Sequence, residues 1–326
     1  MKLIDNYNRQ LNYLRISITD RCNLRCVYCV PSGRIPKLNH EDVLTYEEFI
    51  RVINIAVDLG ITKLRVTGGE PLMRKGVYDF LHRISEINGL KDISLTTNAV
   101  QLTDNIEKIK SAGIHRMNIS IDSLQPEKFK FITGYDLFET VWNGITNAHR
   151  LGFNPIKINV VALRGINEDE ICDFGRLTLK WPFHVRFIEY MPIGISRINP
   201  EDHLLAPEIK SRLEDIAPLV PINSDKYDGP ALRYKFEGAT GEIGLITAVS
   251  NHFCGQCNRL RLTANGQLRT CLLSDEQQDL KLLLRSNASD ERIAEIFINA
   301  AKLKQARHCL SDGRKQVSSQ MSGIGG

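Results

Sequence analysis

Apolar positions in residues 14–217 alternate between two periods. Short runs with every second residue apolar read as strands: LRISITD (14–20), KLRVTGG (63–69), DISLTTN (92–98), RMNISID (116–122), PIKINVVAL (155–163) and HVRFIEYM (184–191). Between them the spacing lengthens to the helical period, as in TYEEFIRVINIAVDLG, where Thr45 and Glu48 stand at capping-box distance. Gly60, Gly113 and Gly152 each follow a helical run and precede the next apolar run, as left-handed C-cap glycines do. Strand–helix alternation implies parallel strands with right-handed crossovers.

The polar positions of these strands choose between architectures. Arg15, Ser17 and Thr19 share one strand face, as do Lys63 and Arg65, Thr96 and Asn98, and Asn118, Ser120 and Asp122. An open sheet covered by helices on both sides would bury these groups in apolar surroundings. A wide, liganded barrel lumen accommodates them. The expected fold is therefore α/β: an incomplete (βα)6 TIM-type barrel with its chemistry at the C-terminal strand ends. Near residue 220 the texture changes to Pro221, Asn223, Ser224, Asp225, Asp228, Gly229 and Pro230. Residues 1–220 are expected to form the partial barrel. Residues 221–326 are expected to form a C-terminal domain, with a helix around 290–308, that closes the open barrel.

Composition narrows the class. With 42% hydrophobic and 25% charged residues, the 326-residue chain reads as a soluble enzyme. No apolar stretch approaches the ~20 residues of a membrane helix, and MKLIDNYNRQ is no signal peptide. A cytoplasmic protein without membrane attachment is expected. The net charge of +4, without dense basic runs, argues against a stable nucleic-acid partner.

The eight cysteines fall as two trios, Cys22/Cys26/Cys29 and Cys254/Cys257/Cys271, with Cys172 and Cys309 apart. Clustered cysteines in a reducing compartment bind metal more often than they pair. Zinc sites normally use four protein ligands, so a trio is one short. A four-iron cluster on three thiolates instead leaves one iron open. Arg15, Lys63, Arg65, Lys157 and Arg186 all lie on predicted core strands. Buried cations are costly without a partner, and five of them ask for a multiply charged anion such as a triphosphate. Arg259 and Arg261 share parity and can point to the same mouth.

Cys22-x3-Cys26-x2-Cys29, with Tyr28 before the third cysteine, closely resembles the signature of the radical S-adenosylmethionine superfamily. The turn Thr67-Gly68-Gly69-Glu70-Pro71 matches that superfamily's methionyl-amine motif. FCGQCNRLRLTANGQLRTCL, TDRCNLRCVYC, VTGGEPLMR, SIDSL and the terminal Gly325-Gly326 look like the GTP 3′,8-cyclase family of molybdenum cofactor biosynthesis, from about Tyr13 to the C-terminus. The resemblance implies a lyase with two 4Fe-4S clusters, on Cys22, Cys26 and Cys29 and on Cys254, Cys257 and Cys271. It implies S-adenosylmethionine at Tyr28, Gly69, Ser120 and Met191, and GTP at Arg15, Arg65, Thr96, Lys157, Arg259, Leu260 and Arg261, with Lys63 and Arg186 as additions. The first cluster, Arg259, Arg261, Gly325 and Gly326 would be catalytic.

In such enzymes a deoxyadenosyl radical takes hydrogen from C3′ of GTP. The ribose radical then attacks C8, and reduction with protonation gives (8S)-3′,8-cyclo-7,8-dihydroguanosine 5′-triphosphate. The implied partners are GTP, an external low-potential electron donor, and cyclic pyranopterin monophosphate synthase as recipient of the product. The chain is expected to be a monomer or homodimer. The open iron of the second cluster is expected to take a ring nitrogen of guanine. Two features depart from the family: Val30 stands where methionine is usual, and QVSSQMSGIGG lacks the arginine common just ahead of its methionine. The rival readings are a peptide-maturing radical enzyme with auxiliary clusters, a zinc-stabilised nucleic-acid-binding protein and a ubiquitin-like sulfur carrier. The last is disfavoured because such carriers are small single domains.

Overall fold

The computed structural model describes residues 2–30, 37–194, 198–199, 202–223, 229–308 and 317–325. The first half repeats one unit, a buried strand followed by an amphipathic helix. In chain order it runs β1 (Tyr13–Ser17), α1 (Tyr46–Asp58), β2 (Lys63–Thr67), α2 (Val77–Ser85), β3 (Asp92–Thr97), α3 (Leu102–Ser111) and β4 (Met117–Ser120). It continues with α4 (Pro126–Thr133), α5 (Phe138–Arg150), β5 (Ile156–Ala162), α6 (Ile171–Lys180) and β6 (His184–Glu189). After α7 (Ala206–Glu214) come β7 (Leu219–Ile222), β8 (Leu232–Phe236), β9 (Glu242–Ile246), β10 (Arg259–Leu262), β11 (Gln267–Arg269) and β12 (Gln277–Asp279). The chain ends with α8 (Lys281–Arg285), α9 (Asp290–Leu303) and α10 (Met321–Ile324).

All six predicted strands are present, and β1 to β6 pair in parallel, each with the next. α1 carries the expected capping box: Thr45 Oγ1 accepts from the Glu48 amide, and the Glu48 carboxylate accepts from the Thr45 amide. Gly60, Gly113 and Gly152 take positive φ, at 97°, 84° and 81°. The twelve strands form one sheet, ordered β12-β11-β10-β1-β2-β3-β4-β5-β6-β9-β8-β7. C-terminal strands thus extend both edges of the partial barrel, β10 beside β1 and β9 beside β6. The sheet itself stays open, because its end strands β12 and β7 do not pair. The stretch near residue 220, expected to be boundary texture, begins as β7, which contains Pro221. That strand is the sheet's outer edge, where a residue without an amide donor does least harm.

One strand face packs on the helices. Leu14, Ile16, Leu64, Val66, Leu95 and Ile119 are buried against residues such as Phe49, Ile53, Phe80 and Ile145. The opposite face is the polar one. Register sets Arg261, Arg15 and Arg65 side by side on β10, β1 and β2, and Arg259, Tyr13 and Lys63 side by side one rung away. Adjacent strands lie about 4.8 Å apart, so these are close neighbours. No helix among the described residues is long and apolar enough to cross a membrane.

Candidate functional site

The polar face opens onto a cavity of about 550 Å³, within the range of small-molecule pockets (~300–1,000 Å³). Both cysteine trios line it, together with Tyr28, Gly69, Thr96, Ser120, Met191, Arg15, Arg65, Arg186, Arg259 and Arg261. Lys63, Lys157 and Leu260 do not. Lys63 lies at the N-terminal end of β2 in an ion pair with Asp92 at 3.0 Å. Lys157 borders a much smaller hollow beside Arg65, Asp92 and Arg116. Leu260 has the opposite parity to its two arginine neighbours and is buried in the hydrophobic core. Cys309 and Gly326 lie outside the described residues. Cys172 is half-buried on α6, far along the chain from either trio, and its thiol donates to the Arg212 carbonyl at 3.2 Å.

The first trio occupies the loop after β1. The Leu24 amide and the Asn98 side chain approach Cys22 Sγ at 3.4 and 3.7 Å, donors suited to a thiolate. Burial pushes the Cys26 thiol well above its ordinary range, helped by Asp122 and Cys29, and burial with Cys22 carries Cys29 up to about 12. Thiols so held ionise only beside added positive charge, which bound iron supplies. Among the described residues no three His, Cys, Asp or Glu side chains converge as a single metal ion requires. Both trios face a roomy cavity instead, the space a polynuclear cluster needs.

The glycine turn lines the cavity and also packs against the first cysteine loop. The Gly69 amide is not offered to a ligand: it donates to the Thr19 carbonyl at 2.7 Å, and the Glu70 amide donates to Arg21 at 2.7 Å. A Cβ on Gly69 would run into the Arg21 carbonyl, so the glycine lets this turn press against the cysteine loop. Glu70, fully buried, accepts from the Leu72 amide, Thr97 Oγ1 and the Asn98 amide at 3.0, 2.9 and 2.7 Å, locking the end of β3 to the same turn. Tyr28 donates to Asp122 at 2.6 Å. Burial lifts that carboxyl to about 6 against the pull of this bond.

In the second loop the charges run the other way. Although burial opposes it, Arg259 and Lys304 hold the Cys257 thiol down to about 6. Lys304 Nζ donates to the carbonyls of Arg259 and Thr270 at 3.0 and 2.5 Å. Arg9, paired with Asp5, reaches the Cys254 carbonyl at 2.6 Å. Burial and its neighbours Arg261 and Arg65 push the Arg15 guanidinium well below its usual range, and burial with Arg259 lowers Arg261 to about 9. Like charges crowded this way favour an anionic occupant. Arg261 also donates to the Gly325 carbonyl at 2.8 Å, which brings the tail to the cavity wall.

Among the cavity residues without an assignment from sequence are Tyr13, Asn159 and His252. Tyr13 shares the parity of Arg15 and Ser17, so the strand pattern that exposed those two also exposed it. Its hydroxyl has no hydrogen-bond partner among the described residues, and its ring carries Lys63 Nζ at 5.0 Å and the Arg65 guanidinium at 5.6 Å.

A partial parallel barrel with a three-cysteine loop after its first strand defines the class. A family model described as the Radical SAM superfamily matches residues 16–178, and one described as Molybdenum Cofactor Synthesis C matches 183–310. In solved structures the fold is similar to that of Streptococcus suis SuiB bound to S-adenosylmethionine. The TM-score is 0.64 at 15% identity, over 89% of this chain and 69% of that one. Among curated proteins the chain is similar to the GTP 3′,8-cyclase of Moorella thermoacetica, 46% identical over 99% of both chains. It is also similar to that of Desulforamulus reducens, 47% identical over 98% of this chain and 100% of the relative. The chain belongs to the GTP 3′,8-cyclase family.

Proposed function

We propose that this cavity is the active site in which GTP is cyclised to (8S)-3′,8-cyclo-7,8-dihydroguanosine 5′-triphosphate, the first step of molybdenum cofactor biosynthesis. The observation that carries the reading is the meeting of two cysteine trios and six arginines around one cavity. Cys22, Cys26 and Cys29 would hold the first 4Fe-4S cluster, and Cys254, Cys257 and Cys271 the second. When bound, the first cluster would supply one-electron reductive chemistry toward S-adenosylmethionine.

The chain's own residues bind, orient and shield. Tyr28, Gly69, Ser120 and Met191 line the cavity and would seat S-adenosylmethionine. Arg15, Arg65, Arg186, Arg259 and Arg261, with Thr96, would hold GTP. The rung of Arg261, Arg15 and Arg65 presents three guanidinia to an anion, and a triphosphate relieves the repulsion among them. Tyr13, central in the next rung, offers an uncharged donor to the same phosphates. Lys63 and Lys157 would act from behind the wall, by charge and not by contact. Arg259 lies over the Phe253 ring at 4.7 Å, which fixes its guanidinium beside the second cysteine loop. The electron would come from an external low-potential donor, and the product would pass to cyclic pyranopterin monophosphate synthase.

Anaerobic incubation with GTP, S-adenosylmethionine and a chemical reductant, followed by mass analysis, tests the reading. The expected product is an isomer of GTP with the same mass, told apart by its chromatographic retention and fragmentation, and it retains the triphosphate. Release of 5′-deoxyadenosine with GTP unchanged would overturn it. Nitrogen-15-labelled GTP should also couple magnetically to the second cluster if its open iron takes the base.

A further inference from the structure

The two arginines that face each other across the β10–β11 pairing both hold the C-terminal tail. Arg261 and Arg269 are directly opposite in antiparallel register, so they share a face. Both are buried, at 4% and 1% exposure. Arg261 donates to the Gly325 carbonyl at 2.8 Å, and Arg269 donates to Ser319 Oγ at 2.7 Å. One neighbouring pair therefore grips both ends of the segment from Ser319 to Gly325.

Asp275, six residues beyond Arg269, completes the grip at the upstream end. It lies 3.5 Å from the Arg269 guanidinium. It accepts from the Ser318 amide at 3.0 Å, the Ser319 amide at 3.3 Å and Ser319 Oγ at 2.9 Å. A half-exposed carboxylate could be satisfied by water alone, yet this one gathers three donors from the tail. Between the two grips α10 turns, and Ile324 packs with Ile193, Leu273 and Val317. Just upstream, the Gly194 amide donates to the Val317 carbonyl at 2.8 Å. The tail, Val317 to Gly326, contains no cation of its own, so the charges that hold it come from the hairpin.

We propose that Arg269 and Asp275 are positioning residues for the reaction, fixing the tail's entry so that Gly325 is delivered to Arg261 at the cavity wall. This rests on the reading of the cavity as the site of cyclisation. The alternative is that Arg269 only fills the core and the tail is a passenger. Cys271 lies between the two clamp residues in sequence, so docking of the tail and the shape of the second cysteine loop depend on each other.

Two variants test the clamp on the reconstituted full chain: Asp275→Ala, which removes the acceptor, and Ser318→Pro, which removes a donor from outside the core. Amide hydrogen exchange across 321–325 and trimming by carboxypeptidase report tail docking. Iron content, GTP affinity and turnover report the rest. Both variants should exchange and be trimmed roughly tenfold faster or more, the scale of a lost charge-assisted hydrogen bond. In both, kcat for cyclisation should fall by a similar factor, while KM for GTP and iron content hold. Ser319→Thr, which keeps the hydroxyl, should behave as the parent. Unchanged tail protection in both variants would overturn the clamp, and so would full turnover with a loosened tail. If the parent itself leaves GTP unchanged, the cyclisation reading fails, whereas the exchange data still decide whether the clamp exists.

Discussion

Arg65 holds two relationships at once. It stands beside Arg15 in register, and its Nε donates to Ser94 Oγ at 3.3 Å. Arg65→Ala should weaken GTP binding by about 3–5 kcal/mol, on the order of a hundred- to several-thousand-fold, because its neighbours were arranged around a shared anion. Reductive cleavage of S-adenosylmethionine should continue, and isothermal titration with GTP beside a 5′-deoxyadenosine assay separates the two. Tyr13→Phe keeps the ring under Lys63 and Arg65 but loses the hydroxyl. A roughly tenfold loss of GTP affinity is expected if that group reaches a phosphate. Cys172→Ala should retain all its iron, roughly eight atoms per chain when both sites are filled. Loss of half would mean that Cys172, and not a trio member, is a ligand.

Much of this was legible because side chains on a strand alternate: Arg15, Arg65, Ser120, Arg259 and Arg261 reach the cavity by parity alone. Lys63 and Lys157 have the same parity and still miss it. They share rungs with Tyr13 and Thr96, which do line it; Lys63 turns to Asp92 and Lys157 to the small hollow beside Asp92, and sequence gives parity but not the direction a long side chain takes.

Elements show a similar division. Strands β1 to β6 were readable because each is a buried apolar run fenced by helices and glycine caps. β7 to β12 were not. They are three to five residues long and lie toward the sheet edges, and β9 and β10 take partners from distant parts of the chain, so no local period marks them. The tail element makes a sharp prediction. Gly325 has φ of 71°, and a Cβ there would lie 2.9 Å from both Ser17 Cβ and Thr67 Cγ2. Gly325→Ala should unseat the tail, and deletion of Gly325 and Gly326 should abolish cyclisation while iron content and thermal unfolding stay at parental values. Full turnover by the deletion variant would count against a working tail.

At the junction of β6 and β9, His184 lies 3.3 Å from Glu242. Burial, with Lys157, Arg186 and Arg233 nearby, outweighs that carboxylate and lowers the imidazole to about 4. The unfolded chain takes up its proton near pH 6.5 and the folded chain only near 4, so unfolding binds a proton throughout that interval. Stability should therefore fall as pH drops from about 6.5 to 4, by about 3 kcal/mol from this group, and level off below. Urea titrations of His184→Asn should show that much less acid sensitivity in the same window.

The molecule as a whole joins its extremes at one place. Arg9, near the N-terminus, holds the carbonyls of Cys254 and Gln305, at 2.6 and 2.7 Å, and the Asn258 amide group donates to Asn12 Oδ1 at 2.7 Å across 246 positions. The tail reaches the same region from the other end. The first cysteine loop is built from nearby sequence, whereas the second loop, the arginine rungs and the tail clamp need almost the full chain. The fold of the first half was accordingly foreseeable, and the composite wall was foreseeable only as a list of residues.

The pairing of β1 with β10 also sets a schedule for synthesis. At ~5–20 residues per second, β1 leaves the ribosome on the order of ten to fifty seconds before the strand that covers its outer edge. Throughout that wait a nascent chain offers an unpaired, apolar-backed edge, the feature that recruits neighbouring strands into aggregates. The growing polypeptide should therefore depend on chaperones until residue 262 has emerged. Ribosome-stalled chains ending before β10 should crosslink to trigger-type chaperones and precipitate on release, whereas chains stalled after α9 is free should do neither.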